Sequence, residues 1–184
     1  MHRTFEELIG SDLDDLHSAA LCFTQDRHRA EELLQEAAIR AFHEFRSGVG
    51  PADFRRWMLG ILVTTYLLKE RRRGVDPLAV DVGPEGEEQP DGRQDAAVPF
   101  PEPGTRAHEW LRAWLNEAWP ELDAGDRLVL WLAAVERIRH ARVAKMLGLA
   151  EEQVRRRHYR ARRSLSTGAS RLLTRDRFLG SAEA

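Results

Sequence analysis

With 184 residues, 42% hydrophobic and 32% charged, the chain suits one medium domain or two small ones and is too apolar for wholesale disorder. No apolar run approaches the roughly 20 residues that span a bilayer; the longest, MLGILVTTYLL from Met58 to Leu68, is expected to be a buried helix. The start, MHRTFEELIGSDLDDL, lacks the basic-then-apolar order of a secretory signal, and the single cysteine, Cys22, excludes an internal disulfide or a multi-cysteine zinc site, so a cytoplasmic protein is expected.

In chain order, FEELIGSDLDDLHSAALCF predicts one helix or two. HRAEELLQEAAIRAFHEF sets Ala30, Leu33, Leu34, Ala37, Ala38, Ala41, Phe42 and Phe45 at helical spacing, which makes one apolar stripe. The opposite face carries Glu31, Glu32, Gln35, Glu36 and Arg40. SGVGP stops that helix, and Pro51 with a capping Asp53 opens the next, ADFRRWMLGILVTTYLLKERRR. It is apolar nearly all round, which predicts a place at the centre of a bundle. Its cationic end, Lys69 and Arg71 to Arg73, suits the helix dipole.

The charge is divided along the chain. Residues 1–73 hold 11 Lys/Arg against 12 Asp/Glu, residues 74–104 one against eight, and residues 105–175 fifteen against eight, so the three stretches carry −1, −7 and +7. The middle stretch is rich in Pro and Gly and has no apolar period, as expected of a flexible acidic linker that cannot bury enough surface to fold. Two small helical domains, 1–73 and 105–175, are predicted on either side, with 176–184 as a tail.

Beyond the linker, HEWLRAWLNEAWPEL places Trp110, Leu111, Trp114, Leu115 and Ala118 on one face, a stripe expected to be core. Pro120 ends it, and Asp123 caps the helix in DAGDRLVLWLAAVERI. In RHARVAKMLGLAEEQVRRRHYRARRSL, Val143, Ala144 and Leu147 form the inner face of a short helix, Gly148 supplies a left-handed turn, and a second helix starts near Ala150. That is the helix-turn-helix pattern. With Val154, Ala161 and Leu165 inward, Gln153, Arg156, Tyr159, Arg160 and Arg163 are expected outward, a basic stripe suited to a major groove. Residues 137–165 hold ten basic and two acidic side chains, more than solubility requires. The seven histidines are scattered without metal spacing, no phosphate loop or nucleophile elbow appears, and neither enzymatic activity nor a metal or cofactor is expected. His140 and His158 are expected to be exposed or close to DNA.

AEELLQEAAIRAF, FRRWMLGI and VAKMLGLAEEQVRRRHYRARRSL, in that order and spacing, resemble the extracytoplasmic-function (ECF) group of the sigma-70 family of bacterial RNA polymerase sigma factors. The resemblance covers about three quarters of the chain. It implies that the first domain binds the beta-prime clamp helices of core polymerase through Glu31, Glu32, Gln35, Glu36 and Arg40. It implies a minus-ten contact by the second helix, with Arg56, Trp57, Thr64, Tyr66, Lys69 and Arg71 as candidates. The last domain would dock on the beta flap and place Gln153, Arg155, Arg156, Tyr159, Arg160 and Arg163 at the minus-35 element. An anti-sigma factor is a further implied partner. In the helix that such proteins use for promoter melting, two arginine positions are Gly60 and Val63 here, an asparagine position is Thr64 and an acidic position is Leu68. Those changes leave a second reading open: a sigma-like protein that titrates an anti-sigma factor and melts no promoter.

Overall fold

A capping box begins the first helix: Thr4 Oγ1 accepts from Glu7 N while Glu7 Oε2 accepts from Thr4 N. The computed structural model describes residues 4–46, 53–79 and 115–180, with the side chains of the last helix up to Thr167. Helix α1 runs unbroken over Phe5–Thr24, one helix where the sequence allowed two, and Gly10 lies within it without a bend. It ends at Gln25 in the left-handed conformation, φ 55°, with the Gln25 amide donating to Cys22 O at 2.7 Å. Helix α2 (Arg27–Arg46) follows at once and packs back on α1, burying Ala30, Leu33, Leu34, Ala37 and Ala41 of the predicted stripe.

Asp53 caps α3 (Phe54–Arg72) by accepting from Arg56 N, as its position predicts. Phe5 meets the rings of Phe42, Phe45 and Phe54 at 5.5–5.6 Å, which pins the start of α3 to the α1–α2 pair. Residues 75–79, placed in the linker from sequence, form a turn against the body, and Leu78 is buried there. Trp110, Leu111 and Trp114 lie outside the described residues, as do linker residues 80–104 and Pro51.

After a helical turn at 115–118, Asp123 caps α4 (Ala124–Leu130) by accepting from Gly125 N. One π-helical turn, Trp131–Val135, continues α4 and is followed by Arg137 at φ 52°. Helices α5 (His140–Leu147) and α6 (Glu151–Gly180) complete the described chain.

All regular elements among the described residues are helices, in keeping with the all-α expectation. The halves do not keep separate cores. One contiguous buried cluster takes Leu16 and Phe23 from α1, Leu59, Leu62 and Val63 from α3, Val129 and Leu132 near α4, and Val143 and Val154 from the last two helices. The physical reason is α3, which is too apolar to be satisfied by α1 and α2 and also packs against α5. Phe23 and Trp131 meet edge to face at 6.5 Å, and Trp119 Nε1 donates to Cys22 O at 3.4 Å across the same junction. Because Leu62 is fully buried in this common cluster, Leu62→Ala should cost about 2–5 kcal/mol and lower the midpoint of both halves together in one denaturant transition, read by tryptophan fluorescence and far-UV dichroism.

Candidate nucleic-acid interface

Gly148, at φ 67°, closes α5 by donating to Ala144 O, and the next amide, Leu149 N, donates to the same carbonyl at 3.0 Å. A glycine is favoured there because an L side chain rarely adopts that φ. The turn brings α6 across α5, with Val143, Ala144, Leu147 and Val154 buried between them. Ala150 has no side chain to cap α6. Gln153 Oε1 instead accepts from Ala150 N at 2.9 Å, half of a capping box, so this candidate minus-35 residue is spent on the helix start as the chain stands.

Along α6 Glu152, Arg155, Arg156, Arg162 and Arg163 are exposed, with Tyr159 half-buried among them, a ridge at spacings of three and four. Arg155 Nη2 donates to Glu151 Oε1 at 2.6 Å one turn earlier. Arg162 was missed from sequence although its place three residues past Tyr159 marks this ridge. On the preceding helix Arg142 and Lys145 are also exposed.

Two arginines do not serve that ridge. Arg157 is buried: its Nη1 lies 3.3 Å from both Asp123 Oδ1 and Asp126 Oδ1, and its Nη2 donates to Ala79 O at 2.9 Å. Arg160, expected outward, forks onto Asp126 through Nε and Nη2, each at 2.6 Å. The cause is Asp126, a buried carboxylate that needs cations within reach; burial pushes its pKa up to about 6 against the pull of Arg157. Gly125 makes room for the cluster, since a Cβ there would sit 2.3 Å from Pro77 O and 2.6 Å from Arg157 Nη1.

Helix α3 departs further from expectation. Arg56 is exposed and paired with Asp53 at 3.3 Å, Trp57 packs half-buried on Phe54, and Thr64 is exposed with its hydroxyl donating to Gly60 O at 2.8 Å. Arg71 is exposed, 3.7 Å from Asp76. Tyr66 is only 3% exposed and lies against Phe23, so it is a core residue and cannot stack on a strand; burial pushes its hydroxyl up to about 12. Lys69 turns to α2, where it pairs with Glu36 at 3.3 Å and Glu32 at 3.7 Å, because those carboxylates offer it partners that the outer side of α3 lacks. The ridge left outside is Trp57, Ile61, Thr64 and Leu68, apolar in character between Arg56 and Arg71.

The polar face of α2 is laced by ion pairs. Arg27 meets Glu31 at 3.0 Å, His28 meets Glu32 at 3.2 Å and Arg40 meets Glu36 at 2.7 Å. Gln35 is exposed, and four residues on Ile39 is 53% exposed, an apolar anchor on this face that its place outside the buried stripe could have signalled. Among the described residues no three His, Cys, Asp or Glu side chains are grouped to hold a metal, and no helix is long and apolar enough to cross a membrane.

His140 and His158, expected to be exposed or near DNA, are joined instead: His140 Nε2 and His158 Nδ1 lie 2.8 Å apart across the two helices. Burial, with help from His140 and Arg162, pushes His158 down to about 4, and burial with Arg155 lowers His140. An unfolded chain takes up the His158 proton near pH 6.5, whereas the folded one resists until about pH 4. The folded state therefore loses stability as pH falls through that window and holds it in full above. Asp126, raised to about 6, acts in the opposite sense over the same window, so the His158 contribution is read as a difference: from pH 7 to pH 4.5 the melting temperature of His158→Gln should fall less, or rise more, than that of the parent, and an equal slope in both proteins would refute the pairing as its source.

No family model matches the sequence. Curated relatives do: SigE of Mycolicibacterium smegmatis, an ECF sigma factor, is 28% identical over 165 residues, 88% of this chain. The probable sigma factor RfaY of Xanthomonas campestris is 33% identical over 148 residues, and the ECF sigma factor SigG of Mycobacterium tuberculosis 30% over 160, each over 78% of this chain. The chain spans 60%, 34% and 43% of the lengths of those three proteins. Among solved structures, the sigma factor RpoE of Bartonella quintana, crystallised with the anti-sigma factor NepR, has the same fold: TM-score 0.59 at 20% identity, over 90% of this chain and 96% of that one. Sequence relatives and fold agree with the three motifs: the chain is similar in sequence to ECF sigma factors of the sigma-70 family and shares the fold of one.

Proposed function

We propose that the protein is a non-enzymatic initiation subunit, acting in the cytoplasm, that binds core RNA polymerase and directs it to a set of promoters. The observation that carries this reading is the exposed arginine ridge of α6, seated on a helix-turn-helix in a chain similar to this family. Arg155, Arg156, Tyr159, Arg162 and Arg163 would meet the minus-35 element, mostly through phosphates, with Arg156 near enough to the helix start to reach a base edge. Gln153 would read a base only by giving up its bond to Ala150 N, and Arg160 would act by holding α6 on Asp126. The α2 face of Glu31, Glu32, Gln35, Glu36 and Arg40, with Ile39 in its midst, would dock on the beta-prime clamp helices, and the last domain on the beta flap. An anti-sigma factor, of the kind bound to the Bartonella protein, would cover one or both of these faces.

The outer ridge of α3 favours one alternative. Trp57, Ile61, Thr64 and Leu68 offer little to an unpaired strand beyond the stacking surface of Trp57, as a sigma-like decoy that titrates an anti-sigma factor would also show. Purified core polymerase, this protein and fragmented genomic DNA of the host decide between them. Transcript starts sharing an upstream motif are the expected outcome; firm core binding with no starts would establish the decoy. In the same system Arg156→Ala should weaken binding to the upstream element and lower the slope of log K against log salt by about one, and an unchanged slope would remove Arg156 from the interface.

A further inference from the structure

We propose that His140 and His158 form a proton-sensitive latch inside the helix-turn-helix: with both rings neutral it holds α6 against α5, and uptake of a proton opens the seam and weakens binding to DNA. The part that concerns DNA rests on the role proposed above. His140 opens α5, and His158 stands 18 residues further on, two turns into α6. Their rings meet edge on with centroids 4.9 Å apart, and His140 Nε2 lies 2.8 Å from His158 Nδ1. Val143, Ala144, Leu147 and Val154 make up the buried part of the seam, so the pair is a polar contact set among apolar side chains.

One buried atom fixes the hydrogens of this contact. A neutral imidazole carries a single N–H, and His158 Nε2 is buried without a partner. Of the two neutral arrangements only one strands no donor: His158 Nδ1–H donates to His140 Nε2, and His158 Nε2 keeps a bare lone pair, the less costly orphan. A further proton has no comparable place. If either ring becomes an imidazolium and the contact is kept, His158 Nε2 carries a hydrogen with no acceptor inside the seam. If His158 Nε2 stays bare, both facing nitrogens carry hydrogens and repel. Every protonated form is relieved when the rings part and water reaches them.

The surroundings keep the proton out while the seam is shut. Burial has the largest influence on both rings; beyond it, Arg155 acts against charge on His140 and Arg162 against charge on His158. Glu151 favours charge on His140 but is paired with Arg155 at 2.6 Å. Arg139 and Arg142 flank His140 along the chain and are exposed, and Asp126, from α4, is engaged by Arg157 and Arg160 on either side of His158. The start of a helix also disfavours a cation at His140. His158 is held down to about 4, whereas a ring freed into water titrates near pH 6.5, so between these values opening takes up one proton and the opened fraction grows about tenfold per pH unit. His158 shares its helix with Arg155, Arg156, Arg162 and Arg163, and parting the seam releases the alignment of that ridge. A positive charge added beside DNA would by itself tighten binding through phosphates, so the sign of the pH dependence separates the latch from simple attraction.

Two measurements on the full chain test the latch. Ring nitrogen resonances at pH 7.5 should place the hydrogen of His158 on Nδ1, and a hydrogen on Nε2 overturns the latch. Amide hydrogen exchange of α5 and of residues 154–163, corrected for the intrinsic rate, should show protection about tenfold lower at pH 5.5 than at pH 7.5, while α1, α2 and α3 keep theirs. His158→Leu, which fills the seam and takes no proton, should change by less than about twofold, and His158→Gln carries the comparison if the leucine variant does not fold. Asp126 titrates over the same range in parent and variant and cancels from the difference. Equal losses of protection in parent and variant, or in the seam and in α1 to α3, overturn the latch. Binding to a duplex that carries the upstream motif of the transcript starts should weaken about tenfold in the parent between pH 7.5 and pH 5.5, and less than about twofold in His158→Leu. Tighter binding by the parent at pH 5.5 overturns the link to DNA. Absence of transcript starts would sink the initiation role and leave the exchange and resonance results standing.

Discussion

Helix α3 buries apolar side chains on more than one flank and keeps only a single ridge outside, and the rest of the described structure is arranged around that constraint. Phe54, Met58, Leu59, Leu62, Val63, Thr65, Tyr66, Leu67 and Glu70 are all buried along its 19 residues. At about 1.5–3 kcal/mol for each large apolar side chain taken from water, leaving one flank open would forfeit several such contributions. The α1–α2 pair covers part of the surface, and the π turn, α5 and the buried side chain of Leu78 lie on the cluster that covers more of it. Even its one buried acid is consistent with this packing: Glu70 is held by Arg29 of α2 and by Arg73. Val63, where the resembled motif carries an arginine, is fully buried and widens the face that the other helices must cover.

Helix α6 solves an opposite problem, because one helix must be both an interior wall and a charged exterior. Its inner line, Val154, Arg157 and Ala161, is apolar except for a guanidinium. That guanidinium is tolerable because Asp126 waits opposite and Ala79 O takes a further N–H, so the charge is matched and its donors are used. Arg160 then completes the carboxylate's bonds from the half-exposed side. The cluster joins three parts of the chain that are far apart in sequence: the turn after α3, the start of α4 and the middle of α6. Orientation of the ridge therefore depends on a buried acid two helices away.

Local chemistry was legible and long-range pairing was not. Asp53, Asp123 and Gly148 act where their positions in the sequence put them, because a cap or a left-handed turn needs only its neighbours. The α2 stripe was legible for the same reason, being a matter of period. Tyr66, Lys69 and Arg160 failed together: each is polar and was assigned to solvent or DNA, yet each finds its partner across the fold, in Phe23, Glu36 and Asp126. Nothing in their own segments tells that those partners lie within reach. The common core was missed likewise, since a charged, Pro/Gly-rich stretch between two apolar stretches suggests separate bodies even when an over-apolar helix draws them together.

The arginine count of α6 overstates what the helix can give to DNA. Arg155, Arg156, Arg157, Arg160, Arg162 and Arg163 all fall within the helix-turn-helix, and six phosphate contacts would give a salt slope near −5 at about −0.9 per phosphate. Arg157 is inside and Arg160 is forked onto Asp126, which leaves four exposed arginines and a slope nearer −3.5 from this helix. Glu151 lies beside Arg155 and Glu152 shares the exposed ridge, so the net field at the start of the helix is weaker still. Such an element would hold DNA loosely by itself, and affinity adequate for a promoter would have to come from contacts made elsewhere at the same time.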